Sequence, residues 1–268
     1  MAFKAAGWSV QHFDRARGDL GDAVGQADVV VNAWNPPDYT TWHKELLQIH
    51  QRVIDAARPH QTTVLVPGNV YVFGAVVEPP WSENSPRLAS NPLGRLRIEM
   101  EERYRASGVK TIILRAGDFL DTEASGNWFD RIITKPLRRG RIDYPGPLDV
   151  PHAWAFLPDV ARTAVALSEK RHDLPQFADI PFPGYTLTGA EIAKILSRAL
   201  SRNIRAARMN WWPLRMAAPV WPMLRGLLEM RYLWDTPHCL DGSQFAKVLP
   251  DFPGTRVEAA LVQAARST

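Results

Sequence analysis

A single cysteine, Cys239, stands in the 268 residues. No internal disulfide is open to it, which fits a reducing, cytoplasmic compartment, and Cys239 itself reads as a small packed side chain. Long apolar runs are missing as well. A membrane-crossing helix needs about 20 uncharged apolar residues, and no such stretch occurs. Met1 to Trp8 lacks the apolar core of a signal peptide. The nearest approach to a span is NWWPLRMAAPVWPMLRGLLEMRYLW, residues 210–234, and Pro213, Pro219, Pro222 and its arginines interrupt it. That segment reads as short helices burying tryptophans, with an interfacial helix against lipid as the alternative. No run of five like charges occurs: 32 basic residues are scattered among 28 acidic ones, which leaves no footprint for nucleic acid. Histidines at a metal-ligand interval on a helix are absent, and so is a G-x-S-x-G nucleophile turn.

What is present alternates. ADVVVNAW (27–34) is an apolar run suited to a strand buried on both faces. YTTWHKELLQIHQRVIDAAR (39–58) sets Trp42, Leu46, Ile49, Val53 and Ala57 on one helix face. TTVLVPGNVYVFG (62–74) reads as a buried strand broken at Pro67-Gly68, PLGRLRIEMEERYRASG (92–108) as a helix stopped by Gly108, and VKTIILRAGDF (109–119) as a further strand. AWAFLPDVARTAVALSE then returns to strand and helix, before a more helical, proline-rich end. Strands and helices in alternation imply an α/β fold, a doubly wound parallel sheet of Rossmann type with a small, mainly helical C-terminal lobe.

The first residues pose a question of register. Gly7 reads as the stop of a helix, and Ser9 to Phe13 alternate into a short strand ending on Asp14. In a doubly wound sheet an acid at the end of the second strand meets the adenosine ribose, with the glycine-rich phosphate loop about 20 residues before it. Counting back from Asp14 runs past residue 1. The expectation is a sheet whose first strand and glycine loop are not encoded here, with residues 8–14 as its second strand.

GDLGDAVGQADVVVNAW, VLVPGNVYVFG, GVKTIILRAGDF and HAWAFLPDVARTAVAL, in that order and spacing, resemble the extended or atypical short-chain dehydrogenases/reductases of the NAD-dependent epimerase/dehydratase superfamily. The resemblance implies a dinucleotide domain over 1–118, rejoined by 153–170, and a substrate-binding lobe over 119–152 and 171–268. It implies that Asp14 and Arg15 face the ribose, that Arg15 or Arg17 pairs with a 2′-phosphate, and that Asp19 and Leu20 border the adenine. Asn32, Ala33, Trp34, Pro67, Gly68, Ala116 and Gly117 would line the cofactor, NADP or NAD, bound weakly for want of the loop. The partner implied is a small molecule, with no nucleic acid and no membrane span, and with room for a homodimer.

The reactive centre departs from that pattern. The superfamily uses a tyrosine as acid/base and, a turn later, a lysine that lowers the tyrosine pKa and holds the nicotinamide ribose. In NPLGRLRIEME, Leu93 stands in the tyrosine's place and Arg97 in the lysine's. Arginine holds a hydroxyl but stays charged, and leucine moves no proton. Asn69 replaces the serine or threonine that orients the substrate oxygen, and Tyr71, two residues on, shares its strand face as a displaced acid or a packed phenol. Asp118, His152 and Trp128 are weaker candidates, and Tyr104 reads as packing. Two functions follow: an epimerase/dehydratase-like or reductase-like enzyme working through Asn69, Tyr71 and Arg97, or a non-catalytic dinucleotide sensor or truncated inactive relative.

Overall fold

The structure is a computed structural model that describes residues 1–16, 18–36 and 38–266. Arg17 therefore lies outside the described residues. The strands are β1 Val29–Val31, β2 Thr63–Gly68, β3 Thr111–Arg115, β4 Asp118–Leu120, β5 Arg141–Tyr144, β6 His152–Phe156, β7 Phe177–Pro181, β8 Tyr185–Leu187 and β9 Arg205–Arg208. The helices are α1 Ala2–Ala5, α2 Leu20–Gly25, α3 Tyr39–Ala57, α4 Pro92–Ser107, α5 Leu157–Glu169, α6 Gly189–Ala199, α7 Trp212–Ala217, α8 Met223–Glu229, α9 Tyr232–Asp235, α10 Ser243–Val248 and α11 Val257–Arg266. They form two compact units: Met1–Gly74, Pro86–Arg115 and Ala161–Ile180 in the first, Ala75–Ser85, Ala116–Val160 and Pro181–Thr268 in the second.

The first unit is built on a sheet in the order β1-β2-β3-β7. β1 and β2 run parallel with Val29 opposite Thr63, and β2 and β3 run parallel with Leu65 opposite Ile112. The amphipathic reading of residues 39–58 is correct in detail: Trp42, Leu46, Ile49, Val53 and Ala57 are all buried on α3. α4 ends at Gly108, which takes a left-handed conformation. Of the run 62–74, β2 covers only 63–68: it takes in Pro67 and Gly68, pairs them with Leu114 and Arg115 and ends there, so the break expected at Pro67-Gly68 falls just after the pair and the proline itself does not interrupt the strand. The reason lies at the other edge. β1 ends opposite Leu65, whose carbonyl accepts from the Asn32 N–H at 2.8 Å. Alternation along the strand turns the Pro67 nitrogen to that same edge, beyond β1, so the proline removes no ladder bond. Residues 171–180, assigned to the lobe from sequence, contribute most of β7 to this sheet.

The expected second strand over residues 8–14 does not form; these residues belong to no strand. A strand exists only through a ladder, and among the described residues none offers residues 8–14 a partner. Before it, α1 closes as a Schellman turn: Trp8 N–H donates to the Phe3 carbonyl at 3.0 Å and Gly7 N–H to Lys4 at 3.1 Å. Gly7 has φ +85°, and the Phe3 and Trp8 rings meet edge to face at 5.5 Å. The helix stop read from Gly7 is thus correct, and the strand after it is not.

In the second unit β4 pairs parallel and β8 antiparallel with β6, while β5 and β9 form a separate parallel pair. The run 109–119 therefore divides between two sheets, β3 in one and β4 in the other. Gly117 sits between them because a Cβ there would come within 2.2 Å of the Ala153 carbonyl oxygen. The core of this unit is aromatic: Phe129, Tyr144, Trp154, Trp211 and Trp234 are buried with Leu120, Ile192 and Leu261. No described helix is long and apolar enough to cross a membrane.

Candidate functional site

Beyond the carboxyl ends of β1 and β2 the first unit gathers Asn35, Tyr39, Asn69, Tyr71 and Arg97. The chain leaves β2 in a tight turn in which Asn69 Oδ1 accepts the Tyr71 N–H at 3.1 Å. The Asn69 carbonyl is held by Arg115 Nη1 at 2.5 Å. This presents the Tyr71 hydroxyl to that of Tyr39, the first residue of α3, at 2.9 Å. Asp38 caps α3 by accepting the Thr40 N–H at 2.8 Å, which fixes where Tyr39 begins the helix. Tyr39 also packs edge to face on Trp42 at 5.0 Å.

Arg97 lies on α4, buried, and Leu93 is buried one turn before it. Arg97 Nη2 donates to Asn35 Oδ1 at 2.7 Å, and its guanidinium carbon sits 4.5 Å from the centre of the Trp42 ring. Burial pulls the Arg97 pKa down, while charge on Tyr71, Glu101 or Tyr39 would favour its cation. The attraction is reciprocal: a phenolate forming on Tyr71 is stabilised by the Arg97 cation. The site can therefore hold a proton on one of two bonded phenols and stabilise its departure.

Asn69, Tyr71 and Arg97 are thus brought to one end of one unit, and Tyr39 and Asn35 join them. Neither of the latter was found from sequence; the only signal was their position in the loop and helix start after the apolar run 27–34. Other expected residues are engaged differently. Asn32 turns into the core, where its Nδ2 lies 3.1 Å from His50 Nδ1 and 2.9 Å from the Tyr104 hydroxyl. The Tyr104 hydroxyl lies 2.9 Å from the same His50 nitrogen. Burial drives the His50 pKa down to about 3 and raises that of Tyr104, so this is a neutral, packed network rather than a cofactor wall. Ala33 is exposed and Trp34 half-buried. Asp19 caps α2 by accepting the Asp22 N–H at 3.0 Å, with Leu20 beginning that helix. Asp14 is exposed and accepts the Ala16 N–H at 2.9 Å.

Arg15 and Trp34 do come together. The Arg15 guanidinium stands 5.0 Å from the Trp34 ring centre and Arg52 stands at 5.6 Å, a cationic, aromatic surface suited to a purine or a phosphate ester. Pro67 and Gly68 lie within β2. Beneath the Asn69 turn is a group that sequence reading missed. Arg115, fully buried, donates to both Glu101 oxygens at 3.0 and 2.8 Å and to both Asp179 oxygens at 3.2 and 2.7 Å. Arg87 bonds the same two acids at 3.4 and 2.5 Å.

The remaining candidates belong to the second unit. Ala116 is buried there, and Gly117 is the close-approach position already described. His152 Nε2 meets Asp118 Oδ2 at 2.7 Å, with His152 buried and Asp118 one-third exposed. The His152 ring stacks on Trp234 at 4.2 Å and its Nδ1 has no hydrogen-bond partner among the described residues. Trp128 packs on Trp211 and Trp234 at 5.8 and 5.3 Å.

No protein-family model matches the sequence, and no curated protein matches it. Solved structures do. MoeE5 in complex with UDP-glucose and NAD is 17% identical with a TM-score of 0.71, over 96% of this chain and 84% of that one. UDP-glucuronic acid 4-epimerase from Bacillus cereus, in complex with UDP-glucuronic acid and NAD, is 15% identical with a TM-score of 0.71, over 95% and 79%. The NAD-dependent NDP-hexosamine 5,6-dehydratase TunA is 14% identical with a TM-score of 0.66, over 92% and 78%. At these identities the likeness is one of fold: the chain has the Rossmann-like α/β fold of NAD-dependent epimerases and dehydratases.

Proposed function

We propose that this chain is an NAD(P)-binding protein of the epimerase/dehydratase kind that acts as a reductase or epimerase on a small molecule bearing a carbonyl or hydroxyl group. The observation that carries the reading is the Tyr71–Tyr39 hydroxyl pair beside the Arg97 cation, at the carboxyl end of a parallel sheet, where such folds bind their ligands. In this reading Tyr71 is the proton donor in place of the missing tyrosine, and Tyr39 positions its hydroxyl and resupplies the proton. Arg97 stabilises the phenolate, and the Asn69 amide orients the substrate oxygen. NAD(P)H supplies the hydride when bound, and the proton from Tyr71 goes to the substrate oxygen. The adenosine end rests on Arg15 and Trp34, a pairing that favours NADP. Residues 119–152 and 181–268 are the substrate-binding part. A cytoplasmic setting accords with the lone cysteine.

A second reading, a dinucleotide sensor without turnover, is favoured by one specific feature: Leu93 is buried where the acid/base tyrosine would stand, and Arg97 is clamped by Asn35. The fit of the described residues to the cofactor is judged at its adenosine end, where the Arg15 and Arg52 cations flank the Trp34 ring. The test is NADPH fluorescence titration followed by a turnover screen on small carbonyls and nucleotide sugars. The enzyme reading expects turnover that Tyr71→Phe lowers by about 10²–10⁴-fold with cofactor affinity unchanged. Binding without turnover across the panel would leave the sensor.

A further inference from the structure

Between Ile192 and Leu228 the sequence carries seven lysines and arginines and no aspartate or glutamate. In a chain whose charges are otherwise mixed, this is the one long single-sign segment. It ends in the tryptophan- and proline-rich run whose aromatics were expected to be buried. The structure divides them. Trp211 is buried, with Nε1 donating to the Pro145 carbonyl at 2.7 Å, and Trp234 packs in the same core. Trp212, Met216, Val220 and Trp221 face outward with 64, 61, 85 and 56% of their surface exposed.

The segment that carries these four side chains is held in place. Trp212 and Met216 are four residues apart on α7 and so share a face. Val220 and Trp221 follow in a turn closed by their N–H groups on the Ala217 carbonyl at 3.1 and 2.9 Å. Arg225 pins the same turn through the Ala218 and Pro219 carbonyls, both at 3.3 Å. Inward, the segment is anchored by Trp211, Ala218 and Leu224, all buried. The outward apolar residues are therefore not core residues awaiting a place.

We infer that this face of the second unit docks on a membrane surface carrying anionic lipid. Two observations select that occupant. Exposed tryptophans with an apolar body and a polar N–H suit the headgroup boundary. The exposed cations of the same segment, among them Arg205, Arg215 and Arg225, meet no acid within it that would repel a negative surface. With no described helix able to span a bilayer, the contact is peripheral. This inference is independent of the dinucleotide reading.

Flotation of the full chain with phosphatidylcholine vesicles, with and without phosphatidylserine, tests it. The expected result is binding only to vesicles containing phosphatidylserine, weakened by salt and accompanied by a blue shift of tryptophan emission. The Trp212→Ser/Trp221→Ser double variant, with an unchanged circular dichroism spectrum, should lose at least about tenfold in vesicle affinity. Arg215→Glu should weaken binding by a smaller factor. Equal binding to both vesicle types, no binding to either, or binding indifferent to the double variant would overturn the proposal. So would self-association that the double variant abolishes, since a second copy of the chain would then cover the face.

Discussion

Glu101, Arg115 and Asp179 lie buried in the first unit, with half-buried Arg87 beside them, as ions that neutralise one another, whereas the second unit buries His152, His238, Tyr144 and four tryptophans as packed aromatic rings. The ionic group holds a functional turn in place: Arg115 ties its acids to the Asn69 carbonyl, from which Tyr71 is presented. The aromatic group leaves several polar atoms without hydrogen-bond partners among the described residues, namely His152 Nδ1, His238 Nε2, Tyr144 Oη and Trp154 Nε1. Buried ions confer geometry at the cost of dependence on every member, and buried rings confer packing that tolerates small losses but not added charge.

The sharpest way to break the contrast is to remove the central ion. Arg115→Met leaves Glu101 and Asp179 with Arg87 as their one remaining cation in the group and should cost about 3–5 kcal/mol of unfolding free energy, read by urea denaturation. Next comes pH, because in each unit burial depresses the pKa of a histidine, His50 in the first and His238 in the second. Burial lowers both His50 and His238 to about 3 from an ordinary 6.5. Between those values the unfolded chain binds a proton that the folded state refuses. Stability is therefore full above about pH 6.5 and falls by about 1.4 kcal/mol per pH unit per histidine as pH drops toward 3. Unfolding at pH 7 and pH 5 should show this decline, and His50→Gln or His238→Gln should each remove its own share of the slope. A slope that neither variant changes would mean that the histidines are not the titrating groups. The smallest effect is expected at Asp19: as a helix cap, Asp19→Ala should cost about 0.5–2 kcal/mol and leave NADPH affinity unchanged. A loss of affinity would restore it to the adenine site.

Much of this was legible in the sequence where one periodicity settled the outcome. The α3 face, the Gly108 stop and the parallel pairing of β1, β2 and β3 follow from local pattern alone. The strand expected over residues 8–14 did not, because a strand depends on a partner and alternation within one segment cannot supply it. The strand end at Gly68 was legible, but not that Pro67 lies inside the strand, because that depends on which edge its nitrogen faces, a matter of where β1 ends. Asn32 was taken for a cofactor contact, yet His50 and Tyr104 reach it from helices that sequence spacing does not bring near. Arg115 on β3, Glu101 on α4 and Asp179 on β7 join only once the helix packs on the sheet. Tyr39 became visible as Tyr71's partner only once α3 began at a defined cap.

The central claim is that the carboxyl end of the first unit's sheet receives a dinucleotide. Amide hydrogen exchange with and without saturating NADPH tests it most directly. The account predicts slowed exchange in the segments after β1 and β2, residues 32–36 and 69–73. Exchange unchanged there, or slowed only in the second unit, would contradict it.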